Sequence, residues 1–106
     1  MIMTKTKTTA KNKKNSSKKK LEQAPATWCF WVHYGPVLGN LADLEKALQT
    51  MSEEQFRYHA NKSRNDFVPW VKEVLHDEEL AQKLHGSKTK KSASKMVSAH
   101  LKAHYQ

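Results

Sequence analysis

The sequence predicts a mainly α domain of the α+β class. It should be a small bundle of four to five short helices with one short aromatic β-strand element, preceded by a disordered basic tail. Three observations carry this expectation. Residues 4–20, TKTKTTAKNKKNSSKKK, hold almost nothing apolar, repel one another, and cannot bury enough surface to fold. One segment alone, TWCFWVHY at residues 27–34, has strand composition. From Asn40 onward the apolar residues recur at helical spacing. The boundary falls between a tail of residues 1–23 and a domain of residues 24–106.

In TWCFWVHY, period-two alternation places Trp28, Phe30, Val32 and Tyr34 on one face and Cys29, Trp31 and His33 on the other. Gly35-Pro36 closes it. Neither face is polar enough to stand in water, so the strand needs a weaker segment of the chain or its own copy beside it. Asn40 caps a helix carrying Leu41, Leu44, Leu48 and Met51. Ser52-Glu53-Glu54-Gln55 is a capping box, with Met51 and Phe56 at the staple positions; that helix runs out near His59. Asn65 or Asp66 starts a third helix with Pro69 in its first turn and Phe67, Trp70, Val71, Val74 and Leu75 along one face. Asp77 caps a fourth helix holding Leu80, Ala81 and Leu84 and ended by Gly86. Ser92 starts a fifth, with Ala93, Met96, Val97, His100, Leu101 and His104 on one side and Lys91, Lys95 and Lys102 on another.

The formal net charge of +9 is unevenly placed: +8 over residues 1–20, −4 over 21–85 and +5 over 86–106. Attraction to a polyanion would act through the two ends. The single cysteine, Cys29, excludes an internal disulfide and fits a reducing compartment. The start, MIMTKTKTTAKNKK, lacks the apolar core of a secretory signal, and no run is apolar enough to span a membrane. The cytoplasm is the expected location.

The segment QFRYHANKSRNDFVPW, residues 55–70, is dense in unusual residues. Most have structural roles, as staple, cap, first-turn proline or core. Arg57, Lys62 and Arg64 remain, suited to phosphate contacts, with Tyr58 offering a stacking face. His59 and Asn61 suit backbone bonds in the turn. Cys29, His33, His100 and His104 together make an acceptable zinc set. However, a C-x3-H pair on a strand separates its ligands by about 13 Å at ~3.3 Å per residue, so no metal or other cofactor is expected. Cys29 lacks the surroundings that activate a thiol. The pairs Glu53-Glu54 and Glu78-Glu79 sit in first helical turns, where carboxylates suit the helix dipole. No phosphate loop or nucleophile elbow is present. ELAQKLHGSKTKKSASKMVSAHLKAH has the look of a helix-turn-helix reader, but Ala81 and Gly86 are five apart rather than four and the loop is too long.

The residues Phe56-x-Tyr58-His59-x-Asn61, Asn65-Asp66-Phe67-x-x-Trp70-Val71-x-x-Val74-Leu75 and Asp77-Glu78-x-Leu80-Ala81 resemble a family of short archaeal and bacterial proteins catalogued as a domain of unknown function. The resemblance runs from about Phe30 to Leu84. It implies a small mixed or mainly helical domain and no activity. Members of that family often carry Gly where this chain has His76.

The expected function is non-enzymatic association with nucleic acid, DNA or RNA, by phosphate-backbone binding largely without sequence preference. The residues expected to carry it are Lys13, Lys14, Lys18, Lys19 and Lys20 in the tail, Arg57, Lys62 and Arg64 in the middle, and Lys88, Lys91, Lys95 and Lys102 toward the end. The alternative is a protein-interaction or dimerisation module. It would use the strand residues Trp28, Phe30, Trp31 and Tyr34 as its surface, through self-association or strand addition, with the tail only solubilising.

Overall fold

The computed structural model describes residues 19–105. It is mainly helical, with a small two-stranded antiparallel sheet. A single 3-10 turn, Ala26–Trp28, leads into β1 (Phe30–Trp31). β2 (Val37–Leu38) pairs with it in the register Phe30 to Leu38 and Trp31 to Val37. Then come α1 (Leu41–Thr50), α2 (Glu53–His59), α3 (Phe67–Pro69, continuing as a π turn over Trp70–Val74), α4 (Glu78–His85) and α5 (Lys90–His104). α1 and α5 pack against each other, and α4 packs on both α3 and α5.

The aromatic segment is thus not one strand of residues 27–34. Its first part is a helical turn, held by Trp28 N–H on Pro25 O and by Trp70 Nε1–H on Trp28 O at 2.7 Å. Its last part reverses at Tyr34, whose φ of 53° is left-handed. Gly35 is needed beside it, because a Cβ there would lie 2.7 Å from Val32 Cγ1. The partner strand is the weaker segment Val37–Leu38 of the same chain.

Phe30 is a correction to the proposed interaction surface. It is 8 % exposed, stacked on Phe67 at 4.9 Å and set edge-on to Trp70 at 5.5 Å. The hairpin pairing turns it inward, and burying an aromatic of this size outweighs any role at the rim.

The helix starts follow from side chains that accept otherwise orphaned N–H groups. Asn40 Oδ1 accepts from Asp43 N–H, the Ser52–Gln55 capping box is complete, and Asp77 Oδ1 accepts from Leu80 N–H. α5 starts earlier than Ser92: Thr89 is the cap and accepts from Ser92 N–H at 3.0 Å, so Lys90 and Lys91 lie in the first turn.

Residues 19–23, expected in the tail, lie against the domain. Lys19 N–H bonds His104 O, Lys19 and Tyr105 form a parallel bridge, and Gln23 Oε1 accepts from Asn40 Nδ2. The disorder expected of residues 1–18, and the contributions of Lys13, Lys14 and Lys18, lie outside the described residues.

The core is continuous. Leu41, Leu44 and Leu48 of α1, Phe56, Phe67, Val71, Leu75, Leu80, Leu84 and Val97 are each at most 2 % exposed. In the π turn Leu75 N–H bonds Trp70 O, five residues back. That wider turn keeps Trp70, Val71 and Leu75 buried and leaves Val74 half-buried.

Candidate nucleic-acid interface

α2 and α4 end on the same side of the domain, and the loop after each is polar and basic. The loop after α2 is tied down locally. Asn61 Oδ1 accepts from Ser63 and Arg64 N–H, Asn61 Nδ2 donates to Arg57 O, and Asp66 N–H returns to His59 O. Between this loop and the end of α4 lies a cleft of about 760 Å³. Arg57, Lys62, Arg64, His85 and Lys88 line it around a floor of Val68 and Pro69, and no carboxylate does. Four of the basic residues expected to meet phosphate, Arg57, Lys62, Arg64 and Lys88, therefore come together although up to 31 residues separate them in sequence.

The four are not equivalent. Arg57 is 3.7 Å from Glu53, a pair exposed on both sides. Arg64 is more constrained: it donates to Tyr58 O at 2.7 Å, sits 3.5 Å from Asp66 and covers the Tyr58 ring at 5.0 Å. Among the described residues Lys62 and Lys88 have no acidic partner, so they hold the most available charge.

Tyr58 does not offer the expected stacking face. His33 stacks on it at 3.7 Å and 3°, and Arg64 lies over it; its faces are used within the chain. Tyr34 meets His33 edge-on at 4.4 Å, and beyond it lie the exposed aromatics of the hairpin. Those are Trp28 at 64 %, Trp31 at 73 % and Tyr34 at 92 % exposure, with Val37 at 49 %.

The remaining lysines stand apart from the cleft. Lys91 and Lys95 border a shallow groove on α5 with Met96. Lys95 and Lys102 border another that Glu45 and Tyr105 share. Lys20 is exposed, and the Lys19 ammonium lies 5.9 Å from the centre of the Tyr105 ring.

His59 is buried, with Nδ1 3.0 Å from Asp66 Oδ2. This superficially looks like an oriented catalytic base. However, Nε2 accepts the backbone N–H of His33 at 2.9 Å, so both ring nitrogens are used, Nε2 tying the hairpin to α2 and Nδ1 tying α2 to the start of α3. Cys29 Sγ faces the Pro25 and Ala24 carbonyls at 3.6 and 4.0 Å.

A second polar centre, which the sequence did not reveal, lies beneath α4 and α5. Asp77 Oδ2 accepts from His100 Nε2–H at 2.9 Å and from the Tyr105 hydroxyl, and all three residues are buried. Burial opposes the Asp77 charge; the hydrogen bonds from Tyr105, Leu80 and His100 outweigh it and hold the carboxyl below its usual range. Burial, followed by the hydrogen bond to Asp77 and then its charge, pushes the Tyr105 phenol up. The only sequence signal for this centre was the N-cap at Asp77, which revealed one of the carboxylate's two oxygens.

Comparisons with family models, with curated proteins and with solved structures return no match.

Proposed function

We propose that this protein binds the phosphate backbone of nucleic acid, largely without sequence preference and without catalysing a reaction on it. The observation that carries this reading is the carboxylate-free cleft that gathers Arg57, Lys62, Arg64 and Lys88. A phosphate chain entering it would meet two ammoniums without acidic partners and two guanidiniums, of which Arg57 is held only by an exposed and weak pair with Glu53. Base-edge reading needs side chains placed in a groove at fixed register, and none of the four is so arranged on a projecting helix.

The test is the salt dependence of binding to a DNA duplex. In the full chain, Lys62→Ala with Lys88→Ala should reduce the slope of log K against log salt by about 2, at about 0.9 per phosphate contact. The same double variant should weaken binding equally for unrelated sequences. A slope identical to that of the unaltered chain would place binding on lysines outside the cleft, in the tail or on α5, and sink the cleft.

A second reading draws on a different observation. Trp28, Trp31 and Tyr34 place three large rings in solvent beside Val37, an apolar cluster of the kind that marks contact surfaces. As an interaction module the protein would self-associate or take a protein partner there. Sedimentation of the unaltered chain and of Trp31→Ala separates the readings: a dimer lost in the variant supports this one.

A further inference from the structure

The Asp77 centre has an outward side. Asp77 is a pure acceptor when ionised, so His100 Nε2, 2.9 Å from it, carries the ring proton. The other nitrogen, Nδ1, is then a lone pair, aimed away from the core. It faces Lys83 Nζ at 3.3 Å. That ammonium is also 3.2 Å from Glu79 Oε2, which lies 3.5 Å from His104 Nε2. Glu79, His100 and His104 each bring one ligating atom within 4.8 Å of the others.

We propose that Glu79, His100 and His104 form a binding site for a divalent transition ion of the zinc class, in which the Lys83 ammonium stands in for the metal. This is independent of the nucleic-acid reading. Three features support it. His100 and His104 are one helical turn apart on α5 and share a face; Glu79 reaches them from the first turn of α4. Two imidazoles and a carboxylate are a zinc donor set that leaves a fourth position open. Behind His100 stands a buried carboxylate that fixes the tautomer and orients the ring, the arrangement that supports metal-bound histidine. An exposed Glu–Lys pair at i,i+4 would need none of this behind it.

Tetrahedral bonds of about 2.0–2.2 Å place ligand atoms roughly 3.4 Å apart, so the set must close by up to about 1.5 Å. Glu79 and His104 have side chains 56 % and 39 % exposed and can swing inward. His100, already fixed, is the anchor. Lys83 is the competitor, since its cation and the metal cannot share the space between Nδ1 and the carboxylate. Its own side chain is 37 % exposed and has solvent to move into.

The test is titration of the full chain with Zn²⁺ by calorimetry, with Co²⁺ absorption reporting the geometry. Lys83→Met should bind one Zn²⁺ at least about tenfold more tightly than the unaltered chain, the reverse of what removing a structural lysine would do. Adding Glu79→Gln or His104→Ala to Lys83→Met should weaken binding by at least about tenfold and remove the visible bands of tetrahedral Co²⁺. Glu79 is exposed and His104 half-buried at the end of α5, outside the apolar core, so the fold survives their loss. Binding no tighter in Lys83→Met overturns the proposal. Binding that Glu79→Gln and His104→Ala leave unchanged also overturns it, assigning the ion to Cys29 or another surface histidine.

Discussion

Two buried histidines with opposite proton placements hold this domain together. His59 donates through Nδ1 to Asp66 and accepts through Nε2 from His33 N–H. His100 donates through Nε2 to Asp77. Long-range proton–nitrogen NMR at neutral pH should therefore find His59 protonated at Nδ1 and His100 at Nε2. His59→Ala orphans a backbone N–H and opens a cavity beside Phe30, at a cost of about 2 kcal/mol or more in denaturant unfolding. Tyr105→Phe removes a hydrogen bond to a buried carboxylate and should cost about 1.5–3 kcal/mol. Asp77 also sets a pH dependence. Its folded pKa lies below the free value of 3.8, so its contribution is complete above that value and is lost as pH falls through the folded one. Tyr105 has the opposite sign: its raised pKa keeps its contribution complete below 10.0 and loses it as pH rises through the higher folded value. Unfolding series from about pH 2 to 7 should show a shallower acid limb for Asp77→Asn than for the unaltered chain, and equal limbs would remove Asp77 from this role.

At the level of elements, local chemistry was the legible part. The caps at Asn40, Ser52 and Asp77 and the helical spacing that follows each were all readable from neighbouring residues. Ser52→Ala, which breaks a complete capping box, should cost about 1 kcal/mol. What was not legible depends on distant partners. The aromatic segment has the composition of a strand, but Trp28 is held by Trp70, 42 residues away, and Tyr34 turns in a conformation that an aromatic seldom adopts. Nothing local distinguishes the π turn from an ordinary helical turn over the same apolar residues. The start of α5 is hidden in the sequence because Lys90 and Lys91 resemble a loop, whereas Thr89 caps as well as Ser92 would. His76 has a φ of 58°, in the left-handed region that favours glycine. His76→Val should cost about 1–2 kcal/mol, and His76→Gly should be close to neutral, because relief of strain offsets the entropy glycine loses. Thermal melts of the two variants check both.

For the whole molecule, counting charge along the chain located the basic ends but not the cleft. The cleft needs the loop after α2 and the end of α4 on one side, an arrangement set by core packing rather than by any local pattern. The Glu79, His100 and His104 grouping was half visible, as the i,i+4 histidines; their third member lay in a helix start already explained by its dipole. Cys29 and His33 lie with the hairpin and His100 and His104 on α5, so the four do not form one ligand set. The uneven exposure of the three tryptophans has a further consequence, in light rather than energy. Trp70 is enclosed, and Trp28 and Trp31 face water. The intrinsic emission should therefore be two overlapping bands, a blue one that iodide cannot quench and a red one that it can. The red band reports whatever settles on the hairpin and the blue one reports whether the domain is folded, so a single unlabelled sample distinguishes occupancy from collapse.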